Sequence, residues 1–293
     1  MSKNIQAIII DPQGSFCRRV PVQDQQRLHD GELCVPGAWE DMVRAASLIT
    51  RLDDKIDDIK VTLDSHDQLH ISHPNWYRHV KTNQKPLPFT QMREEGGVII
   101  GAVFNAATGA WDDVGEYRTV RQAFYQHTLD YLKQLKARNR YPHIIWPPHC
   151  LIGTPGHNIV EPLAEALLGW EDRNVGIVYK VTKGSNMGVE HFSAVRAEVE
   201  DPADPRTQLN MEFIQTVMVA DEILLLGEAR SHCLANTVRD IANEFADDSF
   251  IKKCVLLTDA TSDVPGFEKY GNDFVTEMTQ RGMRSTTTVD YLA

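Results

Sequence analysis

The sequence predicts an α/β protein: a three-layer α/β/α arrangement around a central, mainly parallel six-stranded sheet. Short apolar runs typical of buried strands alternate with segments of helical periodicity along most of the chain. The apolar runs are closed by glycine, proline or charged residues. Polar side chains without any common spacing follow several of the strands, as expected where parallel strands end at one edge of a sheet.

Each predicted element follows from the spacing of its apolar residues. The predicted strands are residues 7–10, 59–63, 143–146, 175–181, 223–226 and 254–257. The predicted helices are residues 39–49, 120–135, 159–168, 209–219, 234–245 and 274–283. The alternation fails after Pro74, so we predict a single domain over 1–293 with an insertion at about 74–141.

Composition excludes several classes of function. The 293 residues are 42% hydrophobic and 24% charged, which is typical of a soluble globular protein. No apolar run approaches the ~20 residues of a membrane span, and no signal peptide opens the chain. Five unpatterned cysteines indicate reduced thiols, so we expect a cytoplasmic protein. The net charge of −11 argues against a nucleic-acid-binding surface.

The candidate nucleophile is Cys233, which lies between the fifth predicted strand and the helix that follows it. Free N–H groups at a helix N-terminus lower the pKa of a thiol and hold an oxyanion. Asp11 also follows a strand and could accept the thiol proton, while the Lys183 ammonium would favour the thiolate. The alternatives are an inert buried cysteine, a loop-capping aspartate and a solvated lysine, with Lys180 as a rival for Lys183.

The second candidate site combines one carboxylate with three imidazoles. These residues are Asp64, His66, His70 and His149. Such donors suit a divalent metal that takes nitrogen and oxygen ligands. The alternative is a polar loop in a histidine-rich region, because His73 and His79 lie close by in sequence.

Two aromatic residues, Phe16 and Trp146, flank the loops that carry Asp11 and His149. A flat substrate ring would fit between such side chains. Core packing explains both residues as easily, and from the residues alone we favour core packing.

Five stretches, in order along the chain, resemble the nicotinamidase and isochorismatase-like cysteine hydrolases. They are residues 7–17 (AIIIDPQGSFC), 64–72 (DSHDQLHIS), 146–154 (WPPHCLIGT), 183–184 with 191–194 (KG and HFSA), and 227–237 (GEARSHCLANT). Each stretch alone is a weak signal. Together they cover nearly the whole chain in the family's order, which makes the resemblance specific.

The resemblance implies the isochorismatase-like hydrolase fold and an amidase that hydrolyses nicotinamide, or a close pyridine carboxamide, through a thioester. It assigns catalysis to Asp11, Lys183 and Cys233, and it favours Lys183 over Lys180 because the family's lysine precedes a glycine. A homo-oligomer acting on a small-molecule amide is expected, with neither a nucleic acid nor a membrane as partner.

The resemblance also implies details around the nucleophile and the substrate. It implies a cis peptide bond at Glu228–Ala229 and an oxyanion hole built from the backbone N–H groups of Ala229 and Cys233. The substrate-binding residues that it implies are Gln13, Phe16 and Trp146.

The same resemblance implies a divalent metal bound by the four donors of the second candidate site. Zinc is expected, and iron and manganese are also compatible with these ligands. The chain departs from the family's pattern at Ser65, Asp67 and His73, where an aromatic residue, a proline and a phenylalanine are usual. These departures keep two alternatives open: another small amide or carbamoyl substrate, and a non-catalytic binding protein on this fold.

Overall fold

A computed structural model of the chain describes residues 3–17 and 33–293. The strands in chain order are β1 (Ile5–Ile10), β2 (Asp58–Asp64), β3 (Tyr77–His79), β4 (Gln91–Glu95), β5 (Val98–Asn105), β6 (Ala110–Thr119), β7 (His143–Ile144), β8 (Tyr179–Lys183), β9 (Glu222–Gly227), β10 (Cys254–Leu257) and β11 (Arg284–Thr286). The helices are α1 (Gly14–Cys17), α2 (Ala38–Leu52), α3 (Tyr125–Ala137), α4 (Glu161–Asn174), α5 (Met211–Met218), α6 (Ala235–Asn243), α7 (Ser249–Lys253) and α8 (Glu268–Gln280).

The main sheet of the described residues has six strands in the order β11-β10-β9-β1-β2-β8, and every neighbouring pair is parallel. Its central strands β1 and β9 are buried along their whole length, because helices cover a parallel sheet on both faces. The predicted α/β fold around a parallel six-stranded sheet is therefore confirmed. Each of the six predicted helices is also present, with ends that differ by several residues.

One strand assignment needs correction. The sequence predicts residues 143–146 as a strand of the main sheet, but β7 instead pairs antiparallel with β4 in a second sheet. The sixth strand of the main sheet is β11, which pairs with β10 and was not predicted. An apolar run indicates that a strand is buried but does not specify the sheet that it joins, which explains the error.

The second sheet is antiparallel, with the order β3-β6-β5-β4-β7. Four of its strands, and helix α3, come from the segment predicted as an insertion at about 74–141. This sheet has a hydrophobic cluster of its own, which includes Trp76, Tyr77, Ile99 and Leu132. The assignment of this segment as an insertion into a single domain stays a prediction.

None of the helices in the described ranges combines the length and the apolar character that a bilayer crossing requires.

Candidate active site

The candidate catalytic residues meet at one edge of the main sheet. Asp11 directly follows β1, Asp64 ends β2 and Lys183 ends β8, so these residues end or follow strands that neighbour one another. Asp64 and Lys183 are also paired in the strand register. The β9 strand, which leads to Cys233, ends beside β1 at the same edge. Parallel strands place their carboxyl ends together, and this explains why residues so distant in sequence come close in space.

The Lys183 ammonium is the centre of this group. Its Nζ lies 2.9 Å from Asp11 Oδ2 and 2.9 Å from Asp64 Oδ1. It also lies 3.1 Å from the carbonyl oxygen of His191 and 3.5 Å from the Sγ of Cys233. Lys183 is 2% exposed, so these contacts replace nearly all of its hydration. The structure thus brings the three predicted catalytic residues together through one ammonium group.

Lys180, the rival lysine, is excluded from the group by its position in β8. Its side chain is 47% exposed and its Nζ lies 3.6 Å from Glu171. Successive residues of a strand point to opposite faces, so Lys183, three positions after Lys180, lies on the other face, where it is buried. The choice of Lys183 over Lys180 agrees with this geometry.

Cys233 lies in a π-helical turn, Arg230–Leu234, that continues directly into α6. The sequence places Cys233 ahead of the helix, whereas the helical turn already begins at Arg230. The side chain is 6% exposed. The Glu228–Ala229 peptide bond is cis, as the resemblance implies.

Burial and charge act in opposite directions on the Cys233 thiol. Burial raises the pKa of Cys233 well above its usual value, the Lys183 charge lowers it, and the Asp11 and Asp64 charges raise it again. The net shift favours the neutral thiol over the thiolate, so a neighbouring base would assist its deprotonation. Burial also raises the pKa of the Asp11 carboxyl, which makes it a stronger base than an ordinary aspartate.

Asp11 and Asp64 differ in their electrostatic surroundings although both contact Lys183. Burial raises the pKa of Asp64, but the charges of His66 and Lys183 outweigh it and hold this pKa well below the ordinary value. For Lys183, burial lowers the pKa and the two carboxylates raise it well above the ordinary value. The two carboxyl groups thus differ in the direction of their pKa shifts, which is the pattern expected where one acts as a base and the other stays charged.

Gln13 is not among the described residues that line the cavity beside Cys233, and its side-chain amide binds backbone atoms. Its amide nitrogen donates to the carbonyl oxygens of Asp64 at 2.8 Å and His157 at 2.9 Å. Its amide oxygen accepts from the Asp64 N–H at 2.7 Å. These bonds to the backbone hold Asp64 in position, and the assignment of Gln13 as a substrate-binding residue stays a prediction.

The second oxygen of Asp64 faces two imidazoles. Asp64 Oδ2 lies 2.9 Å from His66 Nε2 and 3.2 Å from His149 Nε2. The Nδ1 atoms of both histidines lie within 3.0 Å of a backbone carbonyl oxygen, that of Gly184 for His66 and that of Pro147 for His149. A carbonyl oxygen can only accept a hydrogen bond, so each Nδ1 carries a proton. In a neutral ring, Nε2 then carries no proton and has a free lone pair.

Without a metal, burial lowers the pKa of His66 but the Asp64 carboxylate raises it above the usual value, which favours a proton between these two side chains. When both rings are neutral, three acceptor atoms converge at Asp64 Oδ2 with no proton between them. A cation in this position would satisfy all three, and a backbone carbonyl behind each imidazole is the usual support of a metal ligand. Two further histidines, His70 and His73, complete the cluster. Their rings lie 4.4 Å and 5.3 Å from that of His66, centroid to centroid.

Several nitrogen atoms of this cluster are buried without a hydrogen-bond partner. They are His70 Nε2, His73 Nδ1 and His73 Nε2. Donor atoms of His66, His73 and His149 also lie within 4.8 Å of one another. The residues present thus fit a divalent metal: Asp64, His66 and His149 converge, and the ring of His70 lies beside that of His66 without its nitrogens joining the group of donor atoms. His73, which is not one of the predicted ligands, belongs to the same cluster.

Gly184 explains why a glycine follows the candidate catalytic lysine. Its φ is +82°, and a Cβ at this position would lie 2.8 Å from both Asp64 Oδ1 and His66 Cε1. Any side chain would therefore displace the carboxylate from Lys183 or tilt the imidazole. The glycine allows the lysine and the histidine cluster to share Asp64.

Cys233 and Ala229 line a narrow cavity beside the catalytic group. Its other described lining residues are Phe16, Leu33, Asp64, Trp146, His149, Glu190, Phe192, His232 and Val264. The cavity encloses about 20 Å³, which is roughly the room for one water molecule. A ring-sized substrate would enter only after its walls move apart. Phe16 and Trp146 line the cavity as predicted.

Sequence reasoning did not predict five described residues of this cavity: Leu33, Glu190, Phe192, His232 and Val264. His232 directly precedes the nucleophile, and its ring lies among aromatic rings, 5.3 Å from Trp146 and 5.2 Å from Phe192. Burial lowers the pKa of His232 to about 3. The adjacency of His232 to Cys233, and of Glu190 to the His191 motif, was the available signal.

Comparisons with solved structures identify the fold. The structure of the yeast nicotinamidase Pnc1p bound to the inhibitor nicotinaldehyde matches with a TM-score of 0.59 and 18% identity, over 97% of this chain and 99% of that chain. An Acinetobacter baumanii nicotinamidase pyrazinamidase matches at 0.58 and 17%, over 99% and 98%. The pyrazinamidase of Pyrococcus horikoshii in complex with zinc matches at 0.50 and 17%, over 97% and 99%.

No protein-family model matches the sequence, and no curated protein is significantly similar to it. The relationship is therefore carried by the fold, at an identity far too low for sequence comparison alone. The nearly complete coverage of both chains agrees with the expectation from the motifs. This chain has the fold of the solved nicotinamidases and pyrazinamidases.

Proposed function

We propose that this protein is a cysteine amidase that hydrolyses a small aromatic amide, nicotinamide or a close pyridine carboxamide, to the acid and ammonia. The observation that carries the proposal is the Lys183 ammonium, whose Nζ contacts Asp11 and Asp64 at 2.9 Å and Cys233 at 3.5 Å. A buried acid, amine and thiol in mutual contact have the composition of an activated nucleophile. The solved nicotinamidases with this fold support the same class of reaction.

In the first step, Asp11 takes the Cys233 proton and the sulfur attacks the amide carbonyl carbon. The proton moves from the thiol to a carboxylate. Burial raises the pKa of both groups, and the raised pKa of Asp11 makes it a stronger base toward the thiol than an ordinary aspartate. The Lys183 ammonium lies beside both groups and stabilises the thiolate as it forms. Thr62 Oγ1 holds Asp11 Oδ1 at 2.5 Å and so fixes the other oxygen toward Lys183.

In the second step, the tetrahedral intermediate expels the amine. Asp11 returns the proton to the leaving nitrogen, the C–N bond breaks, and ammonia departs from a thioester on Cys233. Water then attacks the thioester with Asp11 again as the base, and the acid product and the free thiol are released. The predicted oxyanion hole, the N–H groups of Ala229 and Cys233, would contribute ~3 kcal/mol per donor to these transition states.

A divalent metal would be held by Asp64, His66 and His149, with His70 as the fourth ligand predicted from sequence. When bound, such a metal supplies a Lewis-acid contact for the ring nitrogen of a pyridine substrate and thereby orients it. The converging lone pairs on Asp64 Oδ2 support this assignment. The zinc complex of the Pyrococcus horikoshii pyrazinamidase makes zinc the first metal to test.

The aromatic walls of the cavity favour a flat substrate. Phe16 and Trp146 are 3% and 2% exposed and both line the cavity, so a ring between them would replace contacts with water by contacts with aromatic carbon. Glu190 and His232 add polar atoms to this wall. They are the side chains most able to distinguish one small amide from another.

The test is ammonia release from nicotinamide by the wild-type protein and by Cys233→Ala, with zinc present. We expect turnover by the wild type and a loss of at least about 1,000-fold in the variant, because the covalent route is removed. Cys254→Ala is the matched control, since Cys254 is a buried thiol of β10 outside the cavity. Equal rates in wild type and Cys233→Ala would reject the mechanism.

A second candidate keeps the same nucleophile but takes a smaller amide or a carbamoyl compound. The cavity of about 20 Å³ favours it, because such a substrate requires less opening of the walls. A panel of nicotinamide, pyrazinamide and small aliphatic amides discriminates between the two. If nicotinamide is turned over with a kcat/KM of about 10⁴ M⁻¹s⁻¹ or better, this second candidate is rejected.

A further inference from the structure

We propose that His73 is a metal ligand in this protein, and that it takes the place that the sequence motif assigns to His70. The metal would then be held by three imidazoles, those of His66, His73 and His149, together with Oδ2 of Asp64. The inference deepens the proposed function and rests on it only in assuming that the site binds a divalent metal.

The free nitrogens of His73 are the first support. The side chain is fully buried at 0% exposure, yet neither Nδ1 nor Nε2 has a hydrogen-bond partner. Burying an imidazole without any partner is costly, because its polar atoms lose hydration and gain nothing in return. Both atoms lie in a cluster of other imidazoles rather than near a donor from the backbone. A cation in this cluster would remove the cost.

The grouping of donor atoms is the second support. One ligand atom each from His66, His73 and His149 lies within 4.8 Å of the others. Two nitrogen ligands of one tetrahedral zinc ion lie about 3.3 Å apart, so these rings require only small inward movements. The centroid of the His73 ring lies 5.6 Å from that of His149 and 5.3 Å from that of His66, so this ring is next to both.

The tautomer of His70 is the third support. The backbone N–H of Ser72 donates to His70 Nδ1 at 3.3 Å, and the Ser72 hydroxyl lies 3.1 Å from the same atom. A backbone N–H can only donate, so Nδ1 is the acceptor and the proton of the neutral ring is on Nε2. Neither nitrogen of His70 then offers a free lone pair to a metal.

His66 and His149 have the opposite arrangement. Each directs its Nδ1 at a backbone carbonyl oxygen, which places the proton on Nδ1 and leaves the Nε2 lone pair facing Asp64. Neither nitrogen of His73 has a hydrogen-bond partner of ordinary geometry. The geometry thus separates two ligands with fixed lone pairs, one histidine whose nitrogens are unsatisfied, and one histidine that is held as a donor. Three imidazoles with one carboxylate favour zinc or iron over magnesium or calcium.

The experiment compares His73→Phe with His70→Phe in the full chain, because each change keeps a buried ring and removes both nitrogens. After treatment with a chelator, each protein is titrated with Co²⁺ and with Zn²⁺, followed by the visible absorption of Co²⁺ and its displacement by Zn²⁺. No substrate is present. We expect His73→Phe to weaken affinity for either ion by at least about 100-fold and to change the Co²⁺ spectrum. For His70→Phe we expect less than about 10-fold weakening and the wild-type spectrum.

The proposal is overturned if His73→Phe binds Co²⁺ as the wild type does, or if His70→Phe loses as much affinity as His73→Phe. It is also overturned if the wild type binds neither ion. Where a phenylalanine variant fails to fold by circular dichroism, His73→Leu and His70→Leu give the same comparison. Failure of the proposed function would appear separately, as ammonia release that does not depend on Cys233 in a protein whose metal affinity still depends on His73.

Discussion

The two halves of the site solve the burial of polar groups in different ways. On one side, Lys183 is surrounded by the opposite charges of Asp11 and Asp64, a carbonyl oxygen and the Cys233 sulfur, so its charge is compensated within the protein. On the other side, the histidine cluster leaves three buried ring nitrogens of His70 and His73 without partners. The two halves share Asp64, which gives one oxygen to each.

The contrast separates side chains whose charges compensate one another, with Asp11 Oδ2 held by its ion pair with Lys183, from three imidazole nitrogens that have neither a hydrogen-bond partner nor a counter-charge in contact among the described residues. Charged groups that satisfy one another can be formed by folding alone, although each remains costly to remove. Unsatisfied imidazoles lower the stability of the chain until something binds them. We therefore expect the catalytic half to depend on its own residues and the histidine half to depend on the metal supply.

The largest effect is expected from removing the charge of Lys183. Lys183→Met leaves the buried Asp11 and Asp64 without their cation and should lower the free energy of unfolding by about 3–5 kcal/mol. Urea denaturation at pH 7 measures the change. Lys180→Met, in the same strand but half exposed, is the matched control and should cost less than about 1 kcal/mol. Similar losses in both variants would contradict the central position of Lys183.

A smaller effect is expected from adding zinc to the histidine cluster. Zinc at 100 times its dissociation constant should raise the free energy of unfolding of the chelator-treated protein by about 2.7 kcal/mol, because it binds the folded state. Thermal or urea unfolding with and without zinc measures this change. His149→Phe keeps every cysteine of the chain and should lose most of the gain. A zinc effect of the same size in that variant would show that the ion stabilises the protein elsewhere.

The smallest effect is expected from replacing His232, because burial rather than a neighbouring charge shifts the pKa of this residue. This imidazole lies among aromatic rings, and burial alone lowers its pKa from 6.5 to about 3. Its contribution is therefore fully present above about pH 6.5 and is lost as the pH falls, by at most about 1.4 kcal/mol per pH unit. His232→Phe should reduce the fall in unfolding free energy between pH 6.5 and 5. An unchanged pH dependence would show that this ring is already charged or solvated in the folded protein.

Residues at strand ends could be predicted from the sequence because one rule places them. Asp11, Asp64 and Lys183 each end or follow a buried run, and parallel strands bring such positions to one edge. Cys233 could be placed for the same reason, since it follows β9. The resemblance supplied the choice of lysine and the cis bond, which spacing alone does not determine.

Other features depend on how loops pass through space, and sequence patterns do not encode this. The partner strand of β7 is one example, because the same apolar residues suit either sheet. The amide of Gln13 is another: it binds backbone atoms of Asp64 and His157, which are distant in sequence. The position of His73 depends on the turn that follows β2. In sequence it was only one more histidine in a histidine-rich stretch.

Gln13 also has a consequence for how the site responds to acidity. Its carboxamide spans the loop after β1 and the end of β2, where the two carboxyl groups with opposite pKa shifts lie. An amide neither gains nor loses a proton in water at ordinary pH. The hydrogen bonds of Gln13 therefore stay in place while the charges of Asp11 and Asp64 change. The distance between the loop after β1 and the end of β2 is thus held by an uncharged side chain. Protonation of either carboxyl group would change reactivity without moving these two segments.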